Sequence, residues 1–441
     1  MTWLQRYRVR HYVTNSIWVF PLFSIPCAIG AARGLLWAEG SMGWAPGTHT
    51  DTAQSVLGAL ASAMFTFIVF VSSALLVAVQ LASSQLTPRI IGIVFKDPIT
   101  KASLTVFVFT FTFTLAALAR ITGSVPTLTA HVAAYSSLAS LGVFLYLLDH
   151  VGKSLRPSGA LWTVGALGRE VIEGVYPKRL VESQPAPQPA GKAPGETPTT
   201  TVANTRDGVV LAFDVPGLVS LAERAGCVLE MVPQVGDFIA AGDPLFRVFQ
   251  GGTALSADAL RNSVAVGQER TLEQDPAFAF RIIVDIASKG LSPAINDPTT
   301  AVLALDQIHH LLRNVGGRRL DDGQVCDAAG RLRLLYRTPD WEDFVYLAVT
   351  EIRQFGGGSI QVARRLRAML ENLIQTLPAE RAELLRQELK LLDRSAARFF
   401  TEPEDQALAD VSDLQGVGGK HRLGPAERRV NETMPQCPST S

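Results

Sequence analysis

The densest set of residues able to do chemistry lies between Gln268 and Asp297. It comprises Gln268, Glu269, Arg270, Glu273, Gln274 and Asp275, followed by Asp285, Lys289, Asn296 and Asp297. Carboxylates at this density could hold a divalent cation or act as general acid and base. Their spacing, however, fits no metal or nucleophile motif, and no paired histidine or activated serine stands beside them. Asp, Asn and Pro favour turns and helix caps, and Asp297 followed by Pro298 has the form of an N-cap with proline in the first helical position. Arg270, Asp275, Asp285, Asn296 and Asp297 are therefore expected to shape a folded interface rather than an active site. His309 and His310 are adjacent, so on a helix they project about 100° apart and cannot both ligate one ion from it. Gly356 to Gly358 lacks the lysine and hydroxyl residue of a phosphate loop and reads as a helix breaker. Cys27, Cys227, Cys326 and Cys437 form no CxxC pair and imply neither a disulfide framework nor a zinc site. With no catalytic set to assemble, the chain reads as a non-enzyme without cofactor or metal.

A second group of polar residues sits in oil. The stretch Ala59 to Ala82 is long and apolar, yet Ser62, Thr66, Ser73, Gln80, Ser84 and Thr87 in and beyond it fall within a sector of about 60° at helical spacing. Hydrocarbon cannot satisfy amides or hydroxyls, so such a stripe must face protein or water. Helix packing is one use, because small and hydroxylated residues let backbones approach. Lining a water-filled path in an assembly of several copies is the other.

The elements that position these residues follow from composition. The chain has 441 residues, 47% of them hydrophobic, and no net charge. Its apolar residues concentrate before position 150, which makes a membrane domain followed by a soluble part, and the zero balance gives no electrostatic case for nucleic acid. Four spans are expected at about 13–37, 57–82, 103–121 and 130–148, within a transmembrane domain over 1–155. The first resembles a signal peptide in its basic flank and small residues, but its length suffices to span. The third contains FVFTFTFT, a strand-like alternation that between two apolar spans is better placed on a helix.

Beyond the membrane, 156–201 reads as a helix and a Pro-rich linker. The segment 202–252 reads as a β-rich subdomain, 253–400 as a mostly helical region, and 401–441 as a disordered tail. VGDFIAAGDPLF has the cadence of a biotinyl or lipoyl barrel-sandwich hairpin, but no lysine lies between Lys192 and Lys289, so no covalent cofactor is expected. RLRLLYR and DFVYLAVTEI suggest a strand then a helix, and 360–400 two amphipathic helices separated near Pro378. Arg364, Arg365 and Arg367 read as a solvated face able to meet anionic headgroups. Basic residues occupy alternate connections, with Arg6, Arg8 and Arg10, then Arg89, Lys96 and Lys101, then Lys153 and Arg156. By the positive-inside rule both termini are cytoplasmic in a bacterial inner-membrane protein.

The residues LLVAVQLASSQLTPRII at 75–91, VGDFIAAGDPL at 235–245 and GQERTLEQDPAFAFRIIVDIASKGLSPAINDPTTA at 267–301 resemble the bacterial predicted membrane proteins of domain of unknown function 2254. The resemblance covers roughly residues 10–400 and implies a membrane location without an associated reaction. The fold expected is thus an α-helical membrane domain of four transmembrane helices, then a mixed α/β cytoplasmic region with a barrel-sandwich-like β subdomain. The expected role is an oligomeric channel or transporter regulated by that region, in contact with the lipid bilayer and with further copies of itself. A membrane-anchored binding or scaffolding module without a transport path is the alternative.

Overall fold

The computed structural model describes residues 2–42, 50–94, 96–121, 125–180, 197–251, 255–320 and 323–419. Among the described residues four helices are long and apolar enough to cross a membrane: α2 (Val19–Ser41), α3 (Thr50–Gln85), α5 (Pro98–Leu118) and α6 (Thr127–Ser154). FVFTFTFT lies within α5 as helix, and two threonines of α5 bond back to the helix or across to a neighbour. Thr105 donates back to the Lys101 carbonyl at 2.7 Å, and Thr110 accepts from Ser140 of α6 at 3.0 Å. The first span begins later than expected. A separate helix, α1 (Trp3–Asn15), precedes it, capped by Thr2 and ended at Ser16.

Glu39, buried near the end of α2, caps α6. Its carboxylate accepts from the Leu128 and Thr129 amides at 3.0 and 3.3 Å and from the Thr129 hydroxyl at 2.9 Å. Pro126 at the α6 N-cap position offers no side-chain cap, so the anion comes from a neighbouring helix.

At about 1.5 Å per residue, the 36 residues of α3 extend well beyond a hydrocarbon core of about 30 Å. Its end therefore leaves the bilayer and enters the soluble region. Ala82, and Leu86 and Ile90 just beyond it, are built into the largest apolar core of the molecule. Ile90 closes a short 3-10 turn at 88–90, which runs into α4 (Ile91–Val94). That core is otherwise helical: α7 (Pro157–Val175), α10 (Pro276–Gly290), α11 (Pro298–Gly316), α12 (Trp341–Gly356), α13 (Ile360–Thr376) and α14 (Ala379–Phe399).

The described residues also form α8 (Val215–Ala225), α9 (Ala257–Arg261) and two small sheets. One sheet has the order β1-β5-β3-β8-β7, with β1 (Thr200–Ala203), β3 (Val228–Met231), β5 (Pro244–Phe249), β7 (Gln324–Cys326) and β8 (Leu332–Tyr336). The other is β4-β2-β6, with β2 (Gly208–Phe213), β4 (Phe238–Ile239) and β6 (Val264–Gly267). Among the described residues no closed barrel forms, and the β-rich segment 202–252 is not self-contained. β3 needs the distant β8, which it pairs in parallel with Leu229 beside Leu334, and β2 is completed by β6. The two GD pairs are turns, as their glycines suggest. Gly236 and Gly242 take φ of 94° and 96°, and the following Asp237 and Asp243 accept from the Gln234 and Ala240 amides at 2.8 Å.

The segment 401–419, expected to be disordered, is folded. It forms α15 (Pro403–Ala409) and a loop held by the arginines expected to be solvated. Arg364 is fully buried and donates to the carbonyls of Val411 at 2.9 Å, Gly418 at 3.2 Å and Gly419 at 2.9 Å. Arg367 reaches the Ala409 carbonyl and Asp410, and Arg365 pairs with Asp306. The Pro-rich linker at 181–196 and the tail beyond 419 lie outside the described residues.

Candidate functional site

The α3 stripe points away from the chain's own bundle. Ser62, Thr66, Ser73, Gln80 and Ser84 are exposed, whereas Met64, Val71 and Val79 on the other face are buried. Thr66 and Ser84 satisfy their hydroxyls on their own helix, through the Ser62 and Leu81 carbonyls at 3.0 and 2.8 Å. Thr87 does not belong to the stripe. Pro88 drives the preceding residue out of helical geometry, so Thr87 is extended, with φ −162° and ψ 145°, and its buried side chain caps the short turn at 88–90.

The polar segment from Gln268 meets the membrane domain beside the end of α3. Asp275 is the N-cap of α10: its carboxylate, 2% exposed, accepts from the Phe278 amide at 3.0 Å and pairs with Arg270. Burial pushes the Asp275 carboxyl up, and the Arg270 guanidinium opposes this. Arg270 lies over the Phe278 ring at 5.5 Å, and Arg89, from the membrane connection, over the same ring at 5.8 Å. Gly236 seats Arg270 from the other side, since a Cβ there would stand 2.5 Å from its Cζ. The GD turn and the QERTLEQDP segment are thus one contact.

Asp285, one helical face along, pairs with Arg89 and accepts from Arg281 Nε at 2.7 Å, while Arg281 Nη2 reaches Glu351 of α12 at 2.7 Å. This ionic row ties α12 and α10 to the loop below α3. Lys289 Nζ donates at 3.2 Å to the Ser83 carbonyl, one of the free carbonyls of the last α3 turn. Asn296 and Asp297 are at the far end of α10 and do not join this junction. Asn296 is exposed in a left-handed turn with φ 50°, and Asp297 caps α11 through the Thr300 amide at 3.1 Å.

A cavity of about 1590 Å³ opens behind α1, walled by α1, α7, β2, β6, the 267–276 segment and the membrane connection at Arg89 to Lys96. His11 Nδ1 lies 2.9 Å from Glu273, and Asn15 is 2.7 Å from His11 Nε2. The Tyr7 hydroxyl lies beside Glu273 and Thr271, buried and without a hydrogen bond of regular geometry. Burial and then Glu273 push that hydroxyl up. Burial also works to raise Glu273, but His11, Tyr7 and Lys96 outweigh it and hold the carboxyl below its usual range. Lys96 is pushed down by burial, against the pull of Glu273. Sequence reasoning missed Tyr7, His11 and Lys96 as site residues. The available trace was Tyr7 and His11 at i, i+4 spacing, one face of a helix read only as a basic arm. Among the described residues no three His, Cys, Asp or Glu side chains converge as a metal site would require.

A bundle of apolar helices joined to a water-facing α/β region defines the class: an integral membrane protein with a large extramembrane part. The chain belongs to the family described as predicted membrane protein (DUF2254), whose model matches residues 14–372. It is 28% identical over 436 residues to uncharacterized protein Rv1290c of Mycobacterium tuberculosis and to uncharacterized protein Mb1321c of Mycobacterium bovis. The alignment covers 92% of this chain and 80% of each relative. No solved structure gives a significant match.

Proposed function

We propose that the chain is a subunit of an oligomeric channel or transporter of the bacterial cytoplasmic membrane. In it α3 faces a shared hydrated path, and the α/β region controls that path from the cytoplasm. The observation that carries the reading is the direction of the stripe. Ser62, Thr66, Ser73, Gln80 and Ser84 face outward, while Met64, Val71, Phe107 and Leu147 fill the inside of the bundle. One copy therefore has no room for a path, and several copies with their α3 helices around an axis would make one without burying charge. The basic arm, the basic connection at 89–101 and Lys153 and Arg156 support cytoplasmic termini. The insertion of Ala82, Leu86 and Ile90 into the soluble core supports control, because motion of that core would move the end of α3.

A second reading, a membrane-anchored binding or scaffolding module, is favoured by Thr66 and Ser84, whose hydroxyls are satisfied without any path. The mass of the complex in mild detergent separates the two. A strict monomer removes the path, and a defined oligomer is the result expected.

A further inference from the structure

The cavity behind α1 has the features of a ligand site independent of any transport path. Three buried side-chain oxygens lining this one cavity make no hydrogen bond of regular geometry among the described residues: Asn15 Oδ1, and the Tyr7 and Thr271 hydroxyls, which lie beside each other and Glu273. Buried polar atoms without a well-formed hydrogen bond are costly, so their gathering in one place marks where a polar partner belongs. The charges lining the cavity are unequal. Arg8, Arg10, Lys96 and Arg337 have no ion pair among the described residues, against Glu170 and Glu269. Glu273, Asp275 and Arg270 are already engaged with His11 and with each other. Lys96 is the cation least able to rely on water, and its position in the connection between α3 and α5 puts it at the membrane surface. The walls away from this polar end are apolar, among them Leu4, Leu167, Val171, Val175 and Ile282. The volume exceeds the roughly 300–1,000 Å³ usual for small-molecule pockets.

We propose that this cavity binds an anionic, phosphate-bearing ligand, its head held by Lys96 with the Tyr7 and Thr271 hydroxyls and its apolar body along α7. An ammonium with hydroxyl donors is suited to a phosphate as a point charge. The head group could belong to a membrane phospholipid or to a soluble phosphate compound.

The test uses the full chain in uncharged detergent, with binding followed by native mass spectrometry and calorimetry. The probes are dihexanoyl phosphatidylglycerol, dihexanoyl phosphatidylcholine and inorganic phosphate. Saturable binding of the phosphatidylglycerol, weakened at least about tenfold in Lys96→Gln, supports the proposal with a lipid source. Binding of inorganic phosphate with the same dependence supports it with a soluble source. Gly174→Trp should block the lipid-like probe, because Gly174 lines the cavity and a Cβ there meets nothing within 4 Å. Should Lys96→Gln fail to fold, Tyr7→Phe, which removes one of the hydroxyls assigned to the head group, serves in its place. The proposal is overturned if neither anion binds saturably, if these variants leave affinity unchanged, or if phosphatidylcholine binds as tightly as phosphatidylglycerol.

Discussion

Replacing Asp275 by alanine removes two things at once. The first is the N-cap bond to the Phe278 amide, which contributes about 1 kcal/mol. The second is the charged hydrogen bond to Arg270, of a class that contributes about 1.5–3 kcal/mol. Arg270 is 35% exposed and can turn to water, which returns part of the second amount. The net loss should be about 2–3 kcal/mol, felt locally at the start of α10. Hydrogen exchange of peptides covering 276–284, on the full chain in detergent, should then run about 30- to 150-fold faster. Asp275→Asn keeps a cap acceptor and should accelerate exchange by about tenfold or less. Its mildness follows from the retained cap, the loss being that of the charge facing Arg270. Burial raises the Asp275 carboxyl, so the stability this group contributes falls as pH rises from the ordinary aspartate range through the raised value. Unchanged exchange in Asp275→Ala, or equal effects of Ala and Asn, would refute the reasoning.

Gly236→Ala forces a side chain onto φ 94° and against Arg270, at a cost of about 1–2 kcal/mol, and should speed exchange across 268–275 as Arg270 is displaced. Asp327 has its carboxyl lowered to about 2, first by the Arg331 amide, with Arg333 and the Ala329 amide adding to this. Its contribution to the β7–β8 hairpin is therefore present above the ordinary aspartate range and should be lost as pH falls from about 4 through about 2. Asp327→Asn should flatten that dependence in hydrogen exchange of 324–336. Arg364→Ala leaves the Val411, Gly418 and Gly419 carbonyls without their donor, so limited proteolysis should cut within 410–419 while α13 stays protected.

Much of the fold was legible because its signals are local. Unbroken apolarity marked the four spans. Asp297 and Pro298 marked the start of α11, RLRLLYR the strand β8, and Pro378 the break between α13 and α14. What sequence could not supply was the partner. Arg364, Arg365 and Arg367 look solvated on an amphipathic helix, because the carbonyls that receive Arg364 come from residues 411–419. The parallel pairing of β3 with β8 likewise has no local trace. Thr87 fitted the stripe by angle alone, and the geometry imposed by Pro88 removed it. In the polar segment after Gln268, Asp297 has the cap its sequence suggested, and Asp275 caps α10 as well. Its meeting with α1 needed the fold, since His11 and Glu273 are joined by tertiary contact.

The shared path along α3 is the central claim, and Ser73 tests it most directly. In a background with the exposed Cys27 replaced, Ser73→Cys lies near mid-membrane on the outward face, between the exposed apolar Phe70 and Val77. The purified oligomer is treated with a charged, water-soluble thiol reagent, and modification is read by intact mass. Ser73→Cys should react, while Val71→Cys, 2% exposed on the opposite face, stays protected by the bundle. Water reaches that depth only along a hydrated path. An unreactive Ser73→Cys in the intact oligomer, together with a Ser73→Leu variant that only weakens assembly, would contradict the account and leave α3 as a packing helix.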